Sequence, residues 1–527
     1  MQPYSLLFVL FVTALVLIHR AVGRSRWRDH QWMVLLAGSM GFYLWSDARS
    51  LVFLLITSVT TWRASLRMRT LDVQGDEAAK TVANRKERKV VRQAFQKRRW
   101  HVLLGTLLLN FGILGYVKYW NTLLGYVHLE HGFLASRLLL PLGISFYTFT
   151  SLGYLIDVYN KKVEPENNYP RYLLFVSWFP QLIQGPINRW AEMREQLSGP
   201  RNVDAEATRR ALLLIAYGAV KKYVLADTLV GTISACLDHI DYGTPGAVIV
   251  IGIVLYSLQQ YGDFSGGIDM VEGVSELFGV RMAQNFRQPY FSTSLAEFWR
   301  RWHMSLGEWM RAYVFYPLAM RPSMMSLNKW GTKHLGKTVG RTLSACVSNV
   351  VVFVLVGLWH GAELHYLLWG LYNGLVIAAS DLCRPLFERG RAMFHVREES
   401  AGWRAWGIAR TFALVNLGRY FDRLVDPHDL ALALRNTFCN FGAQNVSVWL
   451  TQLHPVVYMK FALGFAAMGL VVVTTVDVLC ERGVDVRGRV LSLPYPARCA
   501  LYLALGALTA FSFAAAVQGG GFLYANF

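Results

Sequence analysis

The sequence predicts an all-α, polytopic membrane protein, and three observations carry that prediction. Of 527 residues, 54% are hydrophobic and only 17% are charged, against about 25% charge in ordinary soluble domains. Apolar runs of near-membrane length recur along the whole chain. Aromatic residues make up 14%, with 17 Trp, 25 Tyr and 30 Phe, the side chains that anchor membrane helices at headgroup level. The same arithmetic argues against a soluble enzyme, disorder, a collagen-like repeat or a disulfide scaffold.

The apolar runs lie near 4–19, 32–45, 51–62, 101–120, 138–158, 211–233, 247–262, 343–359, 364–380, 404–420, 457–476 and 498–517. They amount to about 11–12 transmembrane helices. Several fall short of the roughly 20 residues of a straight span, so flanking aromatics must extend them. The first run has no basic residue before it and is followed by Arg20, Arg24, Arg26 and Arg28. That order is backwards for a cleavable signal peptide, so the run reads as a retained helix with its N-terminus outside. The positive-inside rule then puts 20–30, 63–99, 159–210, 263–342, 381–403 and 481–497 in the cytoplasm.

The net charge of +19 follows this distribution. Residues 63–99 hold twelve Lys or Arg against Asp72, Asp76, Glu77 and Glu87, and they lie between apolar runs instead of forming a basic domain. No nucleic-acid partner is expected. The chain therefore divides into N-terminal transmembrane helices (1–62), a basic cytoplasmic segment (63–100), a core (101–420), and an external amphipathic segment with C-terminal transmembrane helices (421–527).

Two stretches of the core depart from simple crossings. Residues 172–187 are apolar but basic on both flanks, which predicts a re-entrant hairpin entering and leaving by one face. Its Gln181, Gln184, Gly185 and Pro186 suit irregular backbone buried in protein or lining a wet cavity. Residues 281–342 carry ten Lys or Arg against Glu297 and Glu308, too polar to span. There Phe298, Trp302, Leu306, Trp309 and Tyr313 recur at helical spacing, which predicts one helix lying in the interface plane.

Histidine is the residue type that could carry chemistry. His360 follows a nearly uninterrupted apolar run, where an ionisable group is costly. Gly357 and Gly361 would let a second helix approach the same point. The alternative is a neutral imidazole bonded to a carbonyl. His303 falls in a row with Trp299, Leu306 and Met310 on the buried side of its helix. Its alternative is an interfacial anchor. Asp263 and Asp269, amid glycines at the end of a run, would either orient an imidazole or fix a loop.

The six cysteines (Cys236, Cys346, Cys383, Cys439, Cys480, Cys499) include no C-x-x-C pair and read as packing residues, so no metal is expected. No G-x-x-x-x-G-K-[ST], H-E-x-x-H or G-x-S-x-G occurs, nor a His followed five residues later by Asp. Phosphate-loop transport, metalloprotease and nucleophile-elbow chemistries are thereby unsupported.

Several stretches together resemble the membrane-bound O-acyltransferase (MBOAT) family, in its bacterial alginate O-acetyltransferase membrane-subunit branch. They are Gln181–Arg189 (QLIQGPINR), Ser257–Met270 (SLQQYGDFSGGIDM), Asn285–Pro317 (NFRQPYFSTSLAEFWRRWHMSLGEWMRAYVFYP), Gly357–Gly374 (GLWHGAELHYLLWGLYNG), Leu417–Leu434 and Phe522–Phe527. The resemblance implies an MBOAT fold of transmembrane, re-entrant and interfacial helices around a central tunnel, in which a cytoplasmic funnel meets a passage to the outer face. It implies His360 as the near-essential histidine at that junction and His303 as the second active-site position. Arg300, Trp302 and Ser305 would support His303. Trp359 stands in the His360 block, and Asp263 and Gln184 match motif residues with structural roles. The chain departs from relatives at Arg311-Ala312-Tyr313, where Arg-Asp-Tyr is common, and at Tyr261-Gly262.

The function the resemblance implies is transfer of an acyl group, acetyl in the leading reading, from a cytosolic thioester to an exported polysaccharide or cell-wall polymer. Acetyl-CoA or an acyl-carrier thioester would be the donor, with no permanently bound cofactor. An extracytoplasmic SGNH-type acetyltransferase would be the partner, in the bacterial cytoplasmic membrane. Histidine suits the reaction because its unperturbed pKa, about 6.5, lies near neutrality. The sister-branch alternative is D-alanyl transfer to teichoic acid from a carrier protein. Alternatives of another class are a proton-coupled transporter, which predicts an internal repeat not visible in the sequence, and a non-catalytic scaffold of a polymer-export machine.

Overall fold

A computed structural model describes residues 5–128, 140–447 and 456–515. The start of the 138–158 run, residues 448–455 of the expected external segment and the Phe522–Phe527 match lie outside the described residues. Apart from one isolated bridge between Phe286 and Trp302, the regular structure among the described residues is helical. The chain divides into two compact units, Met1–Leu212 with Val271–Ala283, and Leu213–Met270 with Gln284–Ala525.

The first unit contains α1 (Leu6–Gly23), α2 (Gln31–Asp47), α3 (Leu51–Lys80), α4 (Arg85–Gly125), α5 (Ile144–Tyr159), α6 (Tyr169–Ser177), α7 (Phe179–Gln184) and α8 (Trp190–Ser198). The basic segment is helical: Arg63–Lys80 form the last turns of α3, and Arg85–Arg99 the first turns of α4. Asn84 caps α4 by accepting the Lys86 N–H at 2.9 Å, satisfying a donor that the first turn leaves open. Arg92 pairs with Asp76 at 3.3 Å. Arg99 is buried, 3.2 Å from Asp72 and donating to the Val158 and Tyr159 carbonyls at 3.2 and 2.8 Å.

Residues 172–187 form α6, a break at Trp178, α7, and then extended backbone. Pro180 sits in the first turn of α7, where its missing N–H costs nothing. Gln181, Gln184, Gly185 and Pro186 are all buried. Asn188 Nδ2 donates to Gln181 Oε1 at 2.7 Å, and Asn188 Oδ1 accepts the Ala283 N–H at 2.8 Å. Irregular backbone is thus enclosed by protein, and Asn188 also donates to the Pro186 carbonyl at 3.1 Å. Phe8, Phe42, Trp178, Phe179 and Phe278 pack edge to face or tilted around it, with centroids 5.2–6.4 Å apart.

Helix α9 (Ala205–Ala219) leads into the second unit, which holds α10 (Asp227–Leu237), most of α11 (Gly246–Glu276), α12 (Leu295–Arg301), α13 (Met304–Met310), α14 (Tyr316–Ala319), α15 (Pro322–His334), α16 (Lys337–His360), α17 (Leu364–Leu382), α18 (Arg384–Met393), α19 (Ala401–Arg423), α20 (Pro427–Cys439), α21 (Val456–Glu481), α22 (Val486–Ser492) and α23 (Tyr495–Ala515). Between α9 and α10 a π-helical stretch, Val220–Ala226, turns Lys221 and Lys222 inward. Lys221 pairs with Asp269 at 2.8 Å, and Lys222 pairs with Asp227 at 2.9 Å and with Asp263. A Cβ on Gly218 would meet the Gly266 carbonyl at 2.6 Å, so only small residues allow this backbone approach.

Among the described residues, six helices are long and apolar enough to cross a membrane: α1, α4, α11, α16, and the segments Phe461–Glu481 and Tyr495–Phe513 of α21 and α23. The pair α17 and α18, bent by 55°, makes a seventh if it is one span. The other apolar runs lie on helices that are shorter or less uniformly apolar, 51–62 on α3 and 404–420 on α19. Runs 32–45 and 138–158 lie on α2 and α5, of 17 and 16 residues. Run 211–233 is divided among α9, the π-helical stretch and α10.

The single interfacial helix expected through Phe298–Tyr313 is instead two short helices. Helix α12 ends at Arg301, Trp302 is extended, His303 is left-handed (φ +47°, ψ 52°), and α13 starts at Met304. The periodic apolar spacing survives the break because the second helix resumes facing the same core. Periodicity alone therefore could not reveal it.

Candidate active site

The turn at His303 is built by a distant strand-like segment. Arg287 N–H donates to the Arg301 carbonyl at 3.0 Å, Met304 N–H donates to the Asn285 carbonyl at 2.9 Å, and Phe286 bridges Trp302. The buried Asn285 side chain completes the clasp. Its Oδ1 accepts from the Ser305 N–H at 3.1 Å and from the Ser305 hydroxyl at 2.9 Å, and it lies 3.1 Å from His303 Nδ1. These bonds offset the roughly 1–2 kcal/mol that a left-handed non-glycine residue costs. Upstream, Ser294 caps α12 by accepting the Glu297 N–H at 3.2 Å, and the Glu297 carboxylate accepts from the Thr293 N–H and hydroxyl, both at 2.9 Å. Arg301 bridges Glu297 at 2.7 Å and Glu481 at 2.8 Å, which ties α12 to α21.

The His303 ring meets Phe264 edge-on at 4.8 Å and Trp359 at 5.9 Å. Burial pushes its pKa down to about 3, so the imidazole is neutral.

His360 is positioned differently. It is the last residue of α16, and α17 folds back against that helix. A Cβ on Gly357 would run into the Tyr366 carbonyl, and one on Gly370 into the Phe353 carbonyl. The glycines therefore allow the hairpin to close tightly beside the histidine. The His360 ring stacks on Tyr366 (5.7 Å, 22°) and meets Trp369 and Trp359 at 5.3 and 4.8 Å. Trp369 is in turn fixed by Trp299 at 5.3 Å, whose Nε1 donates to Asn373 at 3.0 Å.

Two cavities meet at this ring. One, of about 320 Å³, is lined by His360 with Ser234, Gln259, Gln260, Tyr366, Asp422 and Arg423 among others. The other, of about 60 Å³, is lined by His360 with Trp299, Trp302, His303, Leu306 and Met310 among others. The first is rich in hydrogen-bonding groups: Asp422 accepts from Gln260 at 2.6 Å and from Arg419 at 2.9 Å, and Arg423 pairs with Asp238. The second is aromatic and aliphatic apart from its two imidazoles. An arrangement of this kind can hold a polar reactant and a small apolar group on either side of a base.

The other sequence candidates are distributed unevenly. Trp302 is buried, lines the smaller cavity and has the Arg419 guanidinium 5.0 Å above its ring. Ser305 is bonded to Asn285, and Trp359 is buried between the two histidine rings. Arg300 is exposed and lines neither cavity. Asp263 is engaged by Lys222, and Gln184 belongs to α7 in the first unit. Among the described residues no three His, Cys, Asp or Glu side chains gather as a metal site.

Sequence reasoning passed over Asn285, Tyr366, Trp369, Arg419 and Asp422. Lys221 and Lys222 did leave a signal: two adjacent cations inside an apolar run, which marks a buried ion pair.

A model of the membrane-bound O-acyltransferase family matches residues 166–326 and 324–412, segments that contain His303 and His360 respectively. The chain belongs to the membrane-bound O-acyltransferase family. It is accordingly a multi-pass membrane protein. Curated relatives include the probable alginate O-acetylase AlgI of Pseudomonas aeruginosa, 36% identical over 289 residues (53% of this chain, 51% of the relative). The protein of the same name from Azotobacter vinelandii is 33% identical over 356 residues (66% of each chain). The peptidoglycan O-acetyltransferase of Helicobacter pylori is 30% identical over 361 residues (62% of each). The chain thus spans about half to two-thirds of the length of these relatives within the family.

Proposed function

We propose that this protein is an O-acyltransferase of the bacterial cytoplasmic membrane. In this reading it transfers an acetyl group from a cytoplasmic thioester, acetyl-CoA or an acyl-carrier protein, toward the hydroxyls of an exported polysaccharide or cell-wall polymer. The observation that carries the reading is that His360 is common to a cavity of about 320 Å³ lined in part by hydrogen-bonding groups and a more apolar one of about 60 Å³. The names of the relatives, a probable alginate O-acetylase and a peptidoglycan O-acetyltransferase, agree with a polymer acceptor. The smaller cavity has room for only about four to six water molecules, which favours a short acyl group.

In the reaction, the acceptor oxygen attacks the thioester carbonyl carbon, a C–O bond forms and the C–S bond breaks. His360 takes the hydroxyl proton and returns it to the departing thiolate, a contribution of about 10² to 10⁴ in rate. His303, neutral across the smaller cavity, is the second imidazole that meets the reactants. Exclusion of bulk water protects the thioester from hydrolysis. An extracytoplasmic SGNH-type acetyltransferase is the partner that completes transfer to the polymer. No cofactor stays bound between turnovers.

The test is complementation of a strain lacking its own copy, reading O-acetyl content of extracellular polysaccharide and cell-wall hydrolysates. Wild-type protein restores acetylation, and His360→Ala at equal membrane abundance does not. Full acetylation with His360→Ala would instead favour a scaffold or transporter role. D-alanyl ester appearing in place of acetyl would redirect the donor assignment to a carrier-bound aminoacyl group.

A further inference from the structure

We propose that Asn285 is a positioning residue that fixes His303 in the tautomer with the proton on Nδ1, so that His303 meets the reactants as a hydrogen-bond acceptor at Nε2. This rests on the acyl-transfer reading of the site and deepens it, because it chooses between two roles for the second imidazole. A ring with its proton on Nε2 would donate to the thioester carbonyl. A ring with its lone pair there accepts from the attacking hydroxyl and orients it.

The argument begins with a group whose polarity is not adjustable. The backbone N–H of Ser305 can only donate, and the Asn285 side-chain atom 3.1 Å from it is therefore the amide oxygen. A flipped amide would set NH2 against N–H. The Ser305 hydroxyl, 2.9 Å away, adds a second donor to the same oxygen. That oxygen also lies 3.1 Å from His303 Nδ1. A carbonyl oxygen has no proton to give, so Nδ1 carries the N–H. Burial keeps the ring neutral, with its pKa pushed down to about 3, and a neutral imidazole protonated at Nδ1 has its lone pair at Nε2. The ring lines the smaller cavity with His360, and a reactant that hydrogen-bonds the ring does so at Nε2, since the Nδ1 edge is taken by Asn285.

The backbone reinforces the assignment. The Asn285 carbonyl accepts the Met304 N–H at 2.9 Å, so main chain and side chain of one residue hold the His303 ring and the two residues that follow it. The left-handed conformation at His303 is what turns Nδ1 toward this clasp instead of along a continuous helix. Under this assignment the division of labour is asymmetric: His360 moves the proton and His303 aims the oxygen that loses it.

The experiment uses the full-length chain in lipid nanodiscs with ¹⁵N-labelled histidine, and His303→Gln identifies the His303 signals by difference. The expected wild-type spectrum has a protonated, pyrrole-type Nδ1 and an unprotonated, pyridine-type Nε2 at His303 at neutral pH. Asn285→Asp, whose carboxylate still accepts, keeps that pattern. Asn285→Leu loses it, and thiol release from acetyl-CoA falls about 10- to 100-fold in kcat with little change in KM, the scale of losing a group that fixes an imidazole's tautomer. A wild-type spectrum with the proton on Nε2 would overturn the proposal, as would a folded Asn285→Leu protein with the wild-type tautomer and kcat. The spectrum is read without turnover, so it stands even where acetyl-CoA is not the donor. Failure of acyl transfer by the wild-type chain would count against the acyl-transfer reading alone.

Discussion

His303 and His360 line one cavity but are held by opposite means. His360 ends a long apolar helix, and what fixes it is local: glycines in α16 and α17 that let the hairpin close, and rings within nine residues of it that stack or abut it. His303 sits in a strained turn between two helices of seven residues each, and what fixes it is an asparagine 18 positions earlier. A side chain fixed by its own neighbours is visible in a sequence as a motif. One fixed from a distance is visible only as a residue type.

The largest expected effect tests the His360 half of this contrast. His360→Ala lowers polymer acetylation by about 10² to 10⁴, compared at equal membrane abundance. Gly357→Val comes next. Its side chain meets the Tyr366 carbonyl, and overpacking of this kind costs about 1–3 kcal/mol, measured as a lower melting temperature and reduced abundance.

A pH series sharpens the His303 half. The folded-state pKa of about 3 lies below the unfolded value of 6.5, so between them the unfolded chain binds more protons. The stabilising contribution of the neutral ring is complete above about pH 6.5 and is lost as pH falls toward 3. Melting temperature therefore rises with pH across that window, by up to about 1.4 kcal/mol of stability per pH unit, and His303→Gln flattens the slope. The smallest effect is Ser305→Ala. It removes one donor from Asn285 Oδ1 and leaves the backbone donor in place, costing about 1 kcal/mol in chemical denaturation without changing the His303 tautomer.

The long apolar helices and His360 were legible in the sequence because each depends on nearby residues, whereas His303 was legible only as a residue type in a periodic row. The expected buried row of Trp299, His303, Leu306 and Met310 does line one cavity, although the helix assumed to make that row is broken. Phe298 to Tyr313 repeats at helical spacing whether or not Trp302 leaves the helix, since both halves pack on the same core. What decides the break is a side chain at Asn285 that no window centred on His303 weighs. The same holds for Asp263 and Asp269. Their partners are lysines 41 and 48 residues earlier, brought under them by a π-helical irregularity that has no signature in hydropathy.

The helical continuation of α3 and α4 past the apolar run gives the cationic segment a fixed geometry. Arg85–Arg99 rise about 22 Å at about 1.5 Å per residue, several times the roughly 8 Å over which salt at physiological strength damps a charge. Arg85, Lys86, Arg88 and Lys89 are exposed at the tip, and Lys97 and Arg98 are exposed at the foot, beside the apolar part of the helix. Reversing charge at the foot is expected to disturb the orientation of insertion more than reversing it at the tip, because that charge lies nearer the residues that enter the bilayer.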